Sequence, residues 1–394
     1  MSAPHSYSKR ILLAVSGMSP QIVTETLYAL TVAEKDQPFI PTEIHLISTT
    51  TGKNRAVLEL LHPQTGKFHL LCQDYGLKGI QFCAEQIYVI PDKHGVLLDD
   101  IKTPEENEAA ADFITQKVNE LTRDTDSALH VSIAGGRKTM GYYLGYALSL
   151  FGRAQDRLSH VLVTANYEGL PAFFYPTPES HVIYDRDKNP LDTNAAEVIL
   201  ASIPFVRLRT GLPNFLLEGS ASFNDSIRFA RTVEADPLLE VDLVKKCLTA
   251  NSIAVPLTDI NFAFYLWMIQ ETVFKDSAIK RPAPRLLHLD KNNMINCADS
   301  FLECYKNLFG DEKEQDKTER ALTEENLTTK KKGMASAWLS DRVTAIKNSF
   351  EKALGSHGAQ PFLVLKEGKN NHKTYSLTLT EQQVIGFTPA DCDG

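Results

Sequence analysis

The chain has 394 residues, 43 % of them hydrophobic and 23 % charged, and a net charge of -8. That length suits two domains with cores of their own, and the acidic balance argues against a protein whose main task is gripping long nucleic acid, since duplex affinity comes from neutralised phosphates. No uninterrupted apolar run reaches the roughly 18 residues of a membrane helix; the six cysteines, Cys72, Cys83, Cys247, Cys297, Cys304 and Cys392, form no C-x-x-C and follow no secretory leader, so they read as reduced thiols of a cytoplasmic protein.

Taken in chain order, "ILLAVSG" (Ile11 to Gly17) predicts a short strand ending at a glycine. "SPQIVTETLYALTV" then predicts a helix, with Ile22, Val23, Leu27 and Leu30 at helical spacing, Ser19 as cap and Pro20 at the first helical position. Strand patterns recur at Glu43 to Thr49, Ile80 to Ile90, Leu129 to Gly135 and His160 to Ala165, with helical stretches near Asn107 to Leu121 and Lys138 to Phe151. Strands separated by such helices imply an α/β fold with a doubly wound, mostly parallel sheet over residues 1–210. "AFFYP" and "HVIYD", within Ala172 to Asp185, follow closely enough to pair as a hairpin.

From about residue 211 the pattern becomes α+β. Leu238 to Ile269 alternates like a small hairpin and passes through "PLTD" into an amphipathic helix; Ser340 to Gly355 reads as a capped helix, and Phe362 to Leu379 as two strands around "KEGKNNH". Helices followed by a basic hairpin suggest a winged helix-turn-helix over 211–394. Residues 310–333 form a charged, nearly aromatic-free insertion, either mobile or an exposed helix. Between Lys330 and Lys373 nine Lys or Arg stand against three acids, a patch that would suit DNA or simply a solvated face.

In open α/β sheets ligands sit beyond the carboxyl ends of the strands, where strand order reverses. Two loops qualify: "SGMSPQ" (Ser16 to Gln21) and "AGGRKTM" (Ala134 to Met140), each placing glycine and hydroxyl residues before a helix whose free N–H groups favour an anion. Arg137 and Lys138 at a helix N-terminus oppose its dipole by about 0.3–1 kcal/mol each. A charge-assisted hydrogen bond to phosphate, worth about 1.5–3 kcal/mol, offsets that cost. Neither loop is the phosphate-binding G-x-x-x-x-G-K-[ST] nor the dinucleotide G-x-G-x-x-G. "TTTGKNRA" (Thr49 to Ala56) either adds Thr50, Lys53 and Arg55 to the rim of the same pocket or is an ordinary polar turn. There is no H-E-x-x-H, and Asp99 with Asp100 reads as a solvated turn, so neither metal nor cofactor is expected.

With "AVSGMSPQIVTETLYAL" and "HVSIAGGRKTMGYYLGYALSLFGR" both present, the first 210 residues resemble the CRISPR-associated Rossmann-fold (CARF) domain, and within it the ring nucleases. The resemblance implies a Rossmann-like homodimer that binds a cyclic oligoadenylate, the tetra-adenylate above all, and cuts it without metal by attack of a ribose 2′-hydroxyl on its own phosphate. It implies Ser16 and Lys138 as the catalytic pair; the loops that carry them, with Gly17, Met18, Ser19, Gln21, Gly135, Gly136, Arg137 and Thr139, and the neighbouring Thr50 and Arg55, are then expected to hold the ligand. The second half more loosely resembles response-regulator winged-helix domains, with Asp259 to Phe262 at the start of the first helix; that keeps open a messenger-gated DNA-binding regulator without turnover. A ribonuclease motif of the R-x4-6-H type is matched only by Arg281 and His288, and two prolines between them speak against the helix it needs.

Overall fold

Five consecutive apolar residues, Ile11 to Val15, need cover on both faces, and they become the central strand of a sheet with helices on each side. The computed structural model describes residues 3–213, 216–217, 222–275, 287–288, 293–310, 323–325, 332–334, 336–367 and 374–391. The chain divides into two units, Met1–Thr210 with Leu216–Ile227, and Gly211–Phe215 with Arg228–Gly394.

In the first unit the elements run β1 (Lys9–Val15), α1 (Gln21–Tyr28), β2 (Glu43–Ser48), α2 (Thr50–Leu60), α3 (Lys67–Asp74), β3 (Ile87–Val89), α4 (Pro104–Leu121), β4 (Ser127–Ser132), α5 (Lys138–Phe151), β5 (Arg157–Val163), β6 (Val182–Tyr184), β7 (Pro190–Asp192) and β8 (Val198–Ser202), after which the chain enters α6 (Phe223–Glu234). The sheet order is β3-β2-β1-β4-β5-β8, with the first five strands parallel and β8 antiparallel against β5. Leu12, Ala14, Ile44 and Leu46 pack on α1, α2 and α3 through Val23, Leu27, Ala56, Leu60 and Phe68. On the other face Leu13, Val131 and Leu158 lie in register, and a Cβ at Gly145 of α5 would touch Leu158 at 3.7 Å. The sheet is therefore doubly wound, and its order reverses between β1 and β4.

Several local expectations change. The strand expected at Ile80 to Ile90 is interrupted: Gln81 makes a single parallel bridge to Glu43 and Ile87–Val89 forms β3, because between them Ala84–Gln86 forms a 3-10 turn in which the Gln86 side chain accepts from Cys83 N–H at 3.0 Å. "AFFYP" is not a hairpin strand: Phe173, Phe174 and Tyr175 are buried as anchors in the apolar clusters, and the hairpin is β6 with β7. Thr49 to Ala56 is mostly the start of α2, capped by Thr49, and Pro20 rather than Ser19 occupies the N-cap of α1.

In the second unit, β9 (Leu239–Asp242), β10 (Cys247–Ala250) and β11 (Ile253–Val255) form an antiparallel meander, and β14 (Val384–Ile385) adds in parallel beside β9. The helix after "PLTD", α7 (Asp259–Ile269), is not amphipathic: Asn261 through Ile269 are all buried, so it is the core of the unit. Its polar tips are satisfied, Tyr265 O–H donating to Phe362 O at 2.7 Å and Trp267 Nε1–H to Ser300 Oγ at 3.1 Å. Around it lie α8 (Asn293–Phe309), α9 (Ser336–Gly358, broken at Gly355 with φ 71°) and the antiparallel pair β12 (Leu365–Glu367) and β13 (Thr374–Ser376). Helix α9 spans the helix expected at Ser340 to Gly355. Lys330, Lys331, Lys369, Lys373, Arg281 and most of the charged insertion lie outside the described residues. Cys72, Cys83 and Cys247 are free, whereas Cys304 is disulfide-bonded, against the expectation of six reduced thiols. Among the described residues no helix is long and apolar enough to cross a membrane.

Candidate functional site

Three loops converge where the sheet order reverses, at the carboxyl ends of β1, β2 and β4. Ser16 N–H donates to Ile47 O at 3.0 Å and Ser48 Oγ–H to Ser16 O at 2.7 Å, tying the first loop to the second. Glycine makes the approach possible. A Cβ at Gly52 would fall 2.6 Å from Gly17 O, one at Gly135 would fall 2.4 Å from Val15 O, and Gly136 has φ +74°. A Cβ at Gly17 would lie 3.9 Å from Gly136 Cα, so the first and third loops touch.

Between them opens a cavity of about 360 Å³, lined by Gly17 and Met18, Gly136 and Arg137, Thr49 and Thr51, Met140, and the segment Asp99 to Lys102. Arg137 meets Asp100 as a fork, Nε to Oδ1 at 3.1 Å and Nη2 to Oδ2 at 2.6 Å. Asp99 is exposed in a bend, as expected of a solvated turn, whereas Asp100 departs from that reading as the partner of Arg137. The guanidinium hydrogen bond holds the Asp100 carboxyl below the usual carboxylate range, helped by the Ile101 N–H, and Asp100 in turn raises Arg137. With the two side chains 49 % and 39 % exposed, solvent screens the pair and it adds little to stability. It is a displaceable contact in the geometry that Arg offers phosphate.

The other expected site residues are distributed around this cavity. Lys138 and Thr139 are exposed in the first turn of α5, beside Arg137. Ser16 is fully buried beneath its loop, its Oγ without a hydrogen-bond partner among the described residues. Thr50 and Arg55 do not line the cavity: Thr50 Oγ1 is buried without such a partner, Arg55 pairs with Glu59 at 2.9 Å, and Lys53 Nζ donates to Ile87 O at 2.9 Å. Their neighbours Thr49 and Thr51 take the place expected of them, a consequence of the helical start that the T-T-T-G run conceals.

Ser19 and Gln21 face a second cavity of about 240 Å³, across the same two loops, whose lining includes Ala134, Glu25, His160 and Glu168. Glu25, 8 % exposed, is pushed up to about 7 by burial and then by the charge of Glu168. No sequence signal singled it out. Among the described residues no three His, Cys, Asp or Glu side chains gather as metal ligands.

A family described as CRISPR-associated protein NE0113 matches residues 19–234. No curated protein matches the chain. Among solved structures, Enterococcus italicus Csm6 bound to cyclic hexa-2′-fluoro-hexa-dAMP is similar at 10 % identity and a TM-score of 0.27, over 90 % of this chain and 97 % of that one. The family match spans α1, the glycine loop before α5 and more than half of the sequence, and the chain belongs to the CRISPR-associated NE0113 family.

Proposed function

We propose that this protein is a cytoplasmic ring nuclease: it binds a cyclic oligoadenylate, the tetra-adenylate in the first instance, across a homodimer and cleaves it without metal, switching off a type III CRISPR signal. The observation that carries the reading is the meeting of Gly17–Met18 with Gly136–Arg137 at the strand-order reversal, in front of the N-terminus of α5. A cavity of about 360 Å³ lies at the small end of single-ligand sites, so a ring of four nucleotides needs the cavities of two copies, and a two-fold axis suits a symmetric ligand.

The chemistry needs little from the protein beyond placement. The ribose 2′-oxygen forms a bond to the adjacent phosphorus as the P–O5′ bond breaks; the 2′-hydroxyl loses its proton, the departing 5′-oxygen gains one, and a 2′,3′-cyclic phosphate remains. The protein must hold oxygen, phosphorus and leaving oxygen in line and stabilise charge growing on the phosphate. Lys138 and the first-turn N–H groups of α5 suit the second task, with Arg137 gripping a neighbouring phosphate in place of Asp100. Direct participation of Ser16 requires its loop to move, since its hydroxyl is buried. Lys138 needs no such movement.

The alternative is a messenger-gated DNA-binding regulator. It is favoured by α9, whose exposed face carries Lys347 and Lys352, although Lys347 also approaches Glu351 at 3.7 Å. Incubation with cyclic tri-, tetra- and hexa-adenylate in EDTA, followed by mass, separates the two. Conversion to linear products ending in cyclic phosphate, lost in Lys138→Ala, supports the nuclease. Tight binding with no conversion supports the regulator.

A further inference from the structure

The second cavity has a chemical character unlike the first. Its polar lining is Ser19, Gln21, Glu25, His160 and Glu168, with no lysine or arginine. Gln21 is 7 % exposed and Glu25 8 %, yet Gln21 Oε1 has no hydrogen-bond partner among the described residues, and its Nε2 reaches only Pro171 O at 3.4 Å. A buried, unsatisfied acceptor costs about 1–3 kcal/mol, so a group that brings donors to it is stabilised there. At about 240 Å³ the cavity is below the ~300–1,000 Å³ of sites that engulf a drug-sized ligand, and it suits a single ring system.

Resting on the oligoadenylate reading above, we infer that this cavity is a base subsite, in which the carboxyl of Glu25 and the side-chain oxygen of Gln21 together read the amidine edge of adenine. A neutral carboxyl presents one donor and one acceptor side by side. That pair is complementary to a ring nitrogen next to an exocyclic amino group, the edge adenine shows at N1/N6 and at N7/N6. The second amino hydrogen then has Gln21 Oε1 as acceptor. A carboxylate, with acceptors only, instead matches the two adjacent donors of guanine N1–H and N2–H. The protonation of Glu25 thus selects between bases, and burial beside Glu168 keeps it half-protonated near neutrality. Because Ser19 and Ala134 belong to the same loops as Gly17 and Gly136, a base here and a phosphate in the first cavity fall on opposite sides of one loop pair.

The titratable groups lining the cavity are Glu25 on α1, His160 on β5 and Glu168 in the loop after β5, and the test must separate them. The probes are the 2′-fluoro forms of cyclic tetra-adenylate and cyclic tetra-guanylate, which lack the attacking hydroxyl, titrated calorimetrically into the full-length protein at pH 6 and pH 8.5. The adenylate ring binds wild type about 30-fold more weakly per subsite at pH 8.5, the ratio of neutral fractions for a group titrating near 7. Glu25→Gln, whose amide keeps one donor and one acceptor, binds adenylate equally at both pH values, and Glu25→Leu binds it weakly at both. The preference for adenylate over guanylate narrows at pH 8.5 in wild type alone. A pH dependence that survives in Glu25→Gln assigns the titration to His160 or Glu168 and overturns the inference, as does wild-type affinity in Glu25→Leu; the oligoadenylate reading stands in both cases. Failure of wild type to bind either ring overturns that reading and the base subsite with it.

Discussion

The two cavities flank the same pair of loops and differ in almost every physical respect. One is rimmed by an exposed arginine and faces the N-terminus of a helix; the other is closed over a buried carboxyl whose nearest charge is another carboxylate. A phosphate suits the first and is repelled by the second, while an uncharged heterocycle suits the second. On the proposed function, charge and depth divide one nucleotide between two neighbouring sites, with Arg137, Lys138 and the α5 amides assigned to chemistry and Glu25 with Gln21 to identity. That division predicts that mutations on the two sides fail differently.

The largest separation comes from Lys138→Ala. Loss of one donor to transition-state charge costs about 10²–10³ in rate, so single-turnover cleavage of cyclic tetra-adenylate should fall by that factor while its affinity changes far less. Wild-type turnover in this variant would remove Lys138 from the mechanism.

The next effect lies in stability, on the acidic side. Glu25 titrates from an ordinary value of 4.5 when unfolded to about 7 when folded. Because the folded value is the higher, its favourable contribution is complete below pH 4.5 and is lost as pH rises through 7, amounting to about 3 kcal/mol from a shift of this size in a group so buried. Glu25→Gln should therefore leave stability near pH 4 little changed and raise it by up to that amount at pH 8.5. Denaturant midpoints across this range test the slope. Equal slopes in wild type and variant would mean that Glu25 is ionised in the folded protein.

Arg137→Ala sharpens the comparison from the basic side. A charge-assisted fork to phosphate is worth about 1.5–3 kcal/mol, so ring affinity should drop about 10- to 100-fold, equally for adenylate and guanylate rings. Loss of base preference in this variant would show that the cavities do not divide the ligand as described. The salt dependence of binding should also be shallow, at roughly 0.7 per phosphate neutralised.

How much of this was legible in the sequence follows from the range of each interaction. The glycine loops after β1 and β4 announce themselves locally, as turn chemistry following an apolar run, and α5 begins and ends where its pattern does, at Lys138 and Phe151. Thr50 and Arg55 were misplaced because Thr49 caps a helix there: one residue along a helix turns a side chain by about 100°, enough to exchange Thr50 for Thr51 at the rim. Glu25 in "IVTETLYAL" has the pattern of any helical carboxylate, and only the return of the chain at Glu168 reveals its burial. Helix α7 departs from the amphipathic reading for the converse reason: "NFAFYLWMI" has scarcely a polar residue to form an outer face, and its period alone does not say that the rest of the unit covers it on every side.

The smallest predicted effect concerns Asp100, whose pairing with Arg137 no local pattern reveals because the residues lie on separate loops. The Asp100 carboxylate occupies the fork that a phosphate would take. Binding must therefore exchange one anion for another, and the net gain is the phosphate interaction less that of the weak surface pair. Removing the competitor should help: Asp100→Ala is expected to tighten binding of the 2′-fluoro ring by no more than about fivefold, as suits an exposed pair, with most of the gain at low salt, where exposed charges are least screened. Asp100→Asn should fall between, because the amide keeps one acceptor for the guanidinium and loses the charge. A weaker affinity in Asp100→Ala would mean that the carboxylate orients Arg137 for the phosphate, and that the first cavity needs its acid as well as its base.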